Sequence, residues 1–378
     1  MNLFIQTISL QGGIAYFCVK HLFMTNFHTL KVKEVKRETS DAVSILFDVP
    51  QDLKATFQFV QGQYLTLRTN VDGEDVRRSY SICSSPFDEE LRVAVKQIPN
   101  GKFSTYANTT IAVGDAIDVM APLGNFNTKV SADQEKNYAA FASGSGITPI
   151  MSIIRAVLKT ESESVFTLFY GNRSKETIIF NSDLEDLQRA YPDRLQVHHV
   201  LSRDASAEQK FSGRLSAEKC RAYHQDLIDM TELDEVFLCG PEAMIFDIKE
   251  ALIDIGLPEN SIHFELFTTS ASEKKVVLEE EGAVVDSQVE VIVYGESFHF
   301  ELSSDGDAVL DAAMAADADV PFACKGGVCC ACRAKVIEGS VKMDVNFGLD
   351  ESEVNEGYVL ACQSHPTSEK LVIDFDDI

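Results

Sequence analysis

The sequence predicts a multidomain protein: an antiparallel β-barrel, then a doubly wound α/β domain, then a small α+β domain. Three observations carry this reading. From Leu30 to about Asn127, short alternating strands are separated by turn signals, with no long helical stretch. From Asn137 onward, apolar strand runs alternate with helical patterns, as parallel sheets require. Beyond Asp286 lie five of the nine cysteines, four of them in a spaced set.

At 378 residues the chain is long enough for two or three domains. Its 45% hydrophobic content is that of a soluble globular protein, and its net charge of -26 argues against nucleic acid or an anionic membrane as partner. Met1 to Phe23 is largely apolar but is broken by Gly12-Gly13 and lacks a basic leading region. It is expected to be an extension, disordered or an upstream mis-start before a second start at Met24, in preference to a signal peptide or membrane anchor. Cys18, Cys83, Cys220 and Cys239 are scattered, which suits a reducing cytoplasm better than a disulfide framework.

The barrel is expected over 24–130. Leu30–Val35, Ala42–Phe47 and Tyr64–Arg68 read as strands, and Asp72-Gly73 marks a hairpin. Arg78-Ser79-Tyr80-Ser81 sets a guanidinium, a ring and a hydroxyl close together on one strand. That is a workable flavin grip, although the tetrapeptide alone fits an ordinary strand with an exposed Arg. Val93–Lys96 is a further strand, and Gly101-Lys102-Phe103-Ser104 opens a short helix whose N-terminus suits a pyrophosphate. Val95, Lys96, Gly101, Phe103 and Ser104 therefore join the candidate cofactor contacts. Pro122–Phe126 is expected to close the barrel.

The α/β domain is expected over 131–267. Tyr138–Ala142 reads as a strand buried on both faces, followed by Ser143-Gly144-Ser145-Gly146-Ile147-Thr148-Pro149 and a helix. This glycine turn is shorter than G-x-G-x-x-G, yet Gly144, Gly146 and Thr148 can bring backbone close to a dinucleotide. Further strands are expected at Val165–Tyr170, Leu195–Leu201, Glu235–Cys239 and Ile262–Leu266. Arg173 and Ser202-Arg203 stand at strand ends, where the ligand crevices of such sheets form. Each Arg either clamps an anion such as a 2′-phosphate or pairs with a carboxylate such as Asp204 or Glu176. Cys239-Gly240-Pro241 ends the fourth strand, with its thiol either against a nicotinamide or buried and inert. His198-His199 lacks partners at ligand spacing and reads as structural.

A polar linker, 268–285, precedes the last domain, 286–378, in which 19 Asp or Glu stand against 5 Lys or Arg. Cys324, Cys329 and Cys332 follow the C-x4-C-x2-C pattern, and Cys362 comes later. This is the thiolate spacing of a plant-type [2Fe–2S] cluster. Gly326 and Gly327 are expected to let the loop curl through positive φ. Cys330 breaks the spacing and is expected to be a free, oxidation-prone thiol.

Together these motifs resemble the ferredoxin–NADP reductase superfamily extended by a C-terminal plant-type ferredoxin domain of β-grasp form. The likeness covers about Phe27 to the end. A narrower likeness, to reductase subunits of ring-1,2-phenylacetyl-CoA epoxidases, rests on Arg77–Cys83, Tyr170–Arg173, Ala323–Cys329 and Gly357–Gln363. The resemblance implies FAD on Arg78, Tyr80, Ser81, Gly101 and Ser104, with Tyr80, Ser81 and Cys239 at the reacting end. It implies a nicotinamide cofactor on Thr148, Cys239, Gly240 and Pro241. NADPH is favoured over NADH at Ser202-Arg203, and the cluster is held by Cys324, Cys329, Cys332 and Cys362. The expected activity is electron transfer from NADPH through FAD and the cluster to an oxygenase component, the di-iron epoxidase of phenylacetate catabolism. Reduction of a Rieske oxygenase or hybrid-cluster protein, or a redox sensor, are the alternatives. The linker would let the cluster domain swing, and the acidic residues Asp344, Asp350, Glu351 and Glu353 would receive the partner.

Overall fold

The computed structural model describes residues 27–204, 208–267 and 284–377. The expected extension 1–23 and residues 268–283 of the linker lie outside the described residues.

The first sheet is antiparallel, with six strands: β1 (Phe27–Thr39), β2 (Ala42–Asp48), β3 (Tyr64–Val71), β4 (Glu74–Ser81), β5 (Leu91–Lys96) and β6 (Ala116–Met120), ordered β4-β3-β6-β1-β2-β5. A bridge between Ile82 and Val93 brings its two edges together, so the sheet curls into a barrel. Alternate residues point inward, and Leu30, Val32, Leu65, Leu67, Val93, Val95, Ile117 and Val119 fill the interior. The β3–β4 hairpin turns at Asp72 and Gly73, φ 54° and 86°, the left-handed pair that a two-residue turn needs. Helix α1 (Lys102–Thr109) stoppers the barrel with Phe103 and Ala107.

The second sheet is parallel: β7 (Asn137–Ser143), β8 (Val165–Asn172), β9 (Leu195–Leu201), β10 (Glu235–Cys239) and β11 (Ile262–Glu265), ordered β11-β10-β7-β8-β9. Helices α2 (Ile147–Thr160), α3 (Asn181–Ala190), α4 (Ala217–Asp226) and α5 (Glu242–Ile255) connect it. Two apolar cores, one on each face, account for the unbroken hydrophobicity of β7. The chain leaves β7 for β8 on one side and returns beside it as β10, which makes this a topological switch point.

The third region contains β12 (Asp286–Val293), β13 (Glu296–Ser303), helix α6 (Val309–Ala315), β14 (Arg333–Glu338), β15 (Val341–Met343), helix α7 (Glu351–Asn355), β16 (Tyr358–Leu360), β17 (Ser364–Pro366) and β18 (Lys370–Asp374). The main sheet runs β13-β12-β18-β14-β16, with only the β12–β18 pair parallel. Val289, Val291, Leu310, Ile373 and Phe375 form its core.

Barrel and parallel sheet share a junction. Phe126, just beyond the barrel, meets Phe237 edge-on at 5.6 Å. Glu235 lies behind it. Burial alone would raise its carboxyl, but hydrogen bonds from His263, Lys136 and Thr128 outweigh that and hold it at about 2. The Lys136 and Thr128 contacts are 2.6 and 2.8 Å. A carboxylate depressed in the fold stabilises above its unfolded value and loses that contribution as pH falls through the folded one. Glu235→Gln should therefore cost about 1–2 kcal/mol at pH 7, after discounting for partial solvent screening. In denaturant titrations the gap to wild type should shrink as pH drops from about 4.5 towards 2.

Candidate functional site

A cleft of about 1050 Å³ separates the barrel from the carboxyl ends of the parallel strands. From β4 come Arg78, Tyr80 and Ser81, and from β5 Ala94 and Lys96. The N-terminus of α1 adds Gly101, Phe103 and Ser104. The opposite wall carries Gly144, Gly146 and Thr148, then Arg173, Ser202 and Arg203, with Gly240 and Pro241 at the end of β10. Segments far apart in the chain thus meet in one crevice, as the motifs predict.

Two expected contacts are not in its lining. Val95 is fully buried in the barrel, because strand alternation turns it away from the cleft that its neighbours Ala94 and Lys96 face. Cys239 is also fully buried, and burial, with Glu265 beside it, pushes its thiol well above the ordinary range. Of its two readings, the inert buried thiol is the one its surroundings fit. What Cys239 presents is backbone: a side chain on Gly146 would come within 2.1 Å of its carbonyl oxygen. That close packing explains why only glycine fits there.

The local geometry suits the groups expected. Gly101 caps α1, and a side chain there would strike Ser104 Oγ at 2.3 Å, so the backbone stays open to a phosphate. Tyr80 leans on Phe103, ring centroids 5.3 Å apart, which fixes its ring at the cleft wall. Gly144 takes φ 55°, and Thr148 Oγ1 donates to the Ser145 carbonyl at 3.0 Å, holding the turn. The amide of Arg203 donates to the Arg173 carbonyl at 2.8 Å, which sets the two residues on adjacent strand ends. Arg214 lines the same end of the cleft, a contact that no local motif marks. Among the described residues, no salt bridge joins Arg173, Arg203 or Arg214 to a carboxylate. Glu176, one of the expected alternatives, instead accepts from Ser174 Oγ at 2.6 Å. His198 stacks between Phe169 and Phe211, as a structural residue.

Glu265 is the larger omission. It ends β11 in register with Cys239 and is half-buried, and Ser81 Oγ donates to its Oε2 at 3.0 Å. Desolvation, only partly offset by Ser81, pushes its carboxyl up to about 8. At neutral pH it is therefore protonated. Residues 81 and 265 are joined only by the fold, with no local motif to connect them.

The cysteine loop packs on the far side of β3 and β4. Cys329 Sγ donates to Cys324 Sγ at 3.0 Å, and the Cys362 thiol lies beside both Cys324 and Cys332. All four thiols form one connected set, which fits a [2Fe–2S] centre. The Cys329 and Cys362 thiols and the Gly326 amide draw Cys324 below the usual thiol range, while Cys324 and burial push Cys329 and Cys362 up, so the thiols titrate as one coupled set. The loop curls through positive φ at Lys325 and Gly327, 51° and 72°; Gly326 instead donates its N–H to Cys324 at 3.3 Å. Cys330 is buried, its Sγ donates to the Gly348 carbonyl at 2.9 Å, and burial pushes its thiol up. That corrects the expectation of an oxidation-prone thiol, since the reactive species is the exposed thiolate.

Comparison with known proteins agrees with the three modules. Residues 29–128 match an oxidoreductase FAD-binding domain, 141–250 an oxidoreductase NAD-binding domain, and 291–367 a 2Fe-2S iron-sulfur cluster binding domain. One of the subunits of 1,2-phenylacetyl-CoA epoxidase from Escherichia coli is 43% identical over 93% of this chain and 99% of its own. The chain belongs to the flavin and iron–sulfur reductases of oxygenases. The ferredoxin reductase component of 3-ketosteroid-9-alpha-monooxygenase from Rhodococcus rhodochrous is 34% identical over 92% of this chain and 96% of its own. Phthalate dioxygenase reductase shares the fold at TM-score 0.56 and 24% identity, over 92% of this chain and 98% of its own. Like other members, this reductase is an NAD(P)H-dependent oxidoreductase that passes electrons through FAD and a [2Fe–2S] centre to an oxygenase component. No helix among the described residues is long and apolar enough to cross a membrane.

Removing the ionisable group should expose the state of Glu265. An acid raised in the fold destabilises increasingly as pH climbs from its unfolded value to its folded one. Glu265→Gln should therefore gain thermal stability relative to wild type from pH 4.5 to about 8, with no further gain above, by scanning calorimetry.

Proposed function

We propose that this reductase uses NADPH and serves a di-iron oxygenase that epoxidises phenylacetyl-CoA. The observation that carries the cofactor preference is the group of three arginines, Arg173, Arg203 and Arg214, gathered at one end of the cleft. A 2′-phosphate satisfies them; a bare ribose hydroxyl does not. The choice of acceptor is supported by the near full-length likeness to a subunit of the phenylacetyl-CoA epoxidase.

When bound, FAD would supply two-electron hydride acceptance and the cluster one-electron transfer. The chain's own residues supply the rest. Arg78 and the first turn of α1 neutralise and cradle the flavin phosphates. Tyr80 offers its ring face to the isoalloxazine, and Ser81 offers a hydroxyl whose orientation Glu265 fixes. With its carboxyl protonated at neutral pH, Glu265 holds a proton at the base of the cleft beside Ser81 Oγ without adding a charge. Gly144, Gly146 and Thr148 admit the dinucleotide backbone, and Gly240 and Pro241 border the nicotinamide side. Cys324, Cys329, Cys332 and Cys362 would hold the cluster as its four thiolates.

Arg203→Ala should raise the Michaelis constant for NADPH on the order of tenfold or more while changing that for NADH far less, consistent with loss of one charge-assisted contact. Equal effects on both would remove the phosphate role. Cys324→Ser should abolish the broad [2Fe–2S] absorption and cluster-dependent cytochrome c reduction, and spare NADPH–ferricyanide activity at the flavin. Mixing the reductase with phenylacetyl-CoA epoxidase oxygenase subunits should give NADPH-dependent epoxide; no turnover from a reductase active on ferricyanide would count against that acceptor.

A further inference from the structure

Two arginines stand side by side on β4. Arg78 is exposed to the cleft, and strand alternation sends Arg77 to the opposite face. There the Arg77 side chain is 8% exposed. Its Nε donates to Asp75 within the barrel at 3.0 Å. Its other nitrogens cross to the cluster domain, to Asp319 Oδ1 at 3.1 Å and the Val320 carbonyl at 3.3 Å. Its guanidinium also lies over the Phe322 ring, 4.6 Å from the centroid, just before Cys324 in the chain. One side chain thus fixes the segment that leads into the cysteine loop.

A second contact pins the loop itself. The hydroxyl of Tyr64 on β3 accepts the Cys330 amide at 2.8 Å, on the peptide that follows Cys329. The Tyr64 ring packs with Ala323, Cys329 and Ala331. Gly124, at φ 115°, backs that ring so closely that a side chain there would sit 3.0 Å from it. Tyr64 pairs across the hairpin with Ser81, the cleft hydroxyl. Directly opposed residues share a face, so the Tyr64 contact to the cysteine loop and the Ser81 hydroxyl at the cleft stand next to each other on one two-stranded ribbon.

We propose that Arg77 is a positioning residue that clamps the cluster domain onto the barrel, with Tyr64 setting the register of the cysteine loop, so that a single electron passes between the two modules in this docked arrangement. The inference rests on the electron-relay reading of the two sites. The redox change is a one-electron oxidation of reduced flavin and a one-electron reduction of the cluster, with NADPH as the source and no bond made or broken in the protein. Two of the four acidic residues expected to receive a partner serve this contact or the local fold: Glu353 joins Arg333 and accepts from Asn125 of the barrel at 2.9 Å, and Asp350 caps α7.

The test uses the holoenzyme and three variants, Arg77→Gln, Arg77→Lys and Asp319→Lys. The last acts from a side chain that is 66% exposed, so it keeps the test open if Arg77→Gln does not fold. Amide hydrogen exchange over 319–331 should speed up on the order of tenfold in Arg77→Gln and Asp319→Lys, the scale of one lost charge-assisted bond, and Arg77→Lys should recover part of the protection. In stopped flow, flavin bleaching by NADPH should be unchanged while growth of the reduced-cluster electron paramagnetic signal slows on the order of tenfold. Wild-type exchange together with wild-type cluster reduction would overturn the clamp. Faster exchange with unchanged cluster reduction would also overturn it, by leaving Arg77 a purely structural role. Wild-type protein that fails to reduce ferricyanide would sink the relay reading instead, and the exchange data would still decide the docking.

Discussion

The rest of the structure depends on the alternation of side chains along β4. In an extended strand, neighbours point to opposite faces, so Arg77 and Arg78 cannot serve the same site. Arg78 opens onto the cleft with Tyr80, and Arg77 is buried beneath Phe322 on the way to the cysteine loop. One strand in one sheet therefore carries the register of both redox sites. A slip of one residue would exchange the two faces and disable both at once.

The cleft adds a second constraint, the carboxyl of Glu265. Desolvation raises this half-buried carboxyl to about 8, only partly offset by its hydrogen bond from Ser81, which favours the neutral form at pH 7. Glu235, also half-buried, takes the opposite course because Lys136 and His263 lie against it. Both carboxyls tie the barrel to the parallel sheet, one through Ser81 and one through Thr128. The cleft wall is thereby joined from two sides by polar contacts that charge state controls.

Much of this was legible in the sequence wherever chemistry is local. The Asp72-Gly73 hairpin, the glycine turn after β7 and the cysteine spacing each declare themselves within a few residues. Strands β9 and β10 fall where periodicity puts them. Glu265, Arg214, Arg77 and Tyr64 were not legible, because each acquires its partner only when distant segments meet: Ser81, the cleft end at Arg203, Asp319 and Cys330. Val95 and Cys239 were misplaced for a different reason. Being near a motif in sequence says nothing about which face a side chain takes, and both turn inward to the core. Cys330 was misjudged because its burial against Gly348 depends on a loop well beyond the cysteine motif.

The docking contact also bears on how an electron can leave. Beside the clamp it includes, among the described residues, one amide–hydroxyl bond, one Asn–Glu contact, the patch around Tyr64, and apolar contacts with the parallel-sheet domain, where Val328 packs on its core and Phe347 meets Phe246 at 6.3 Å. Docking covers the Cys329–Ala331 side of the loop, whereas Cys324 stays partly exposed and Lys325 lies at the surface with Asp311. In the docked arrangement the Cys324 edge is therefore the side of the loop open to an acceptor.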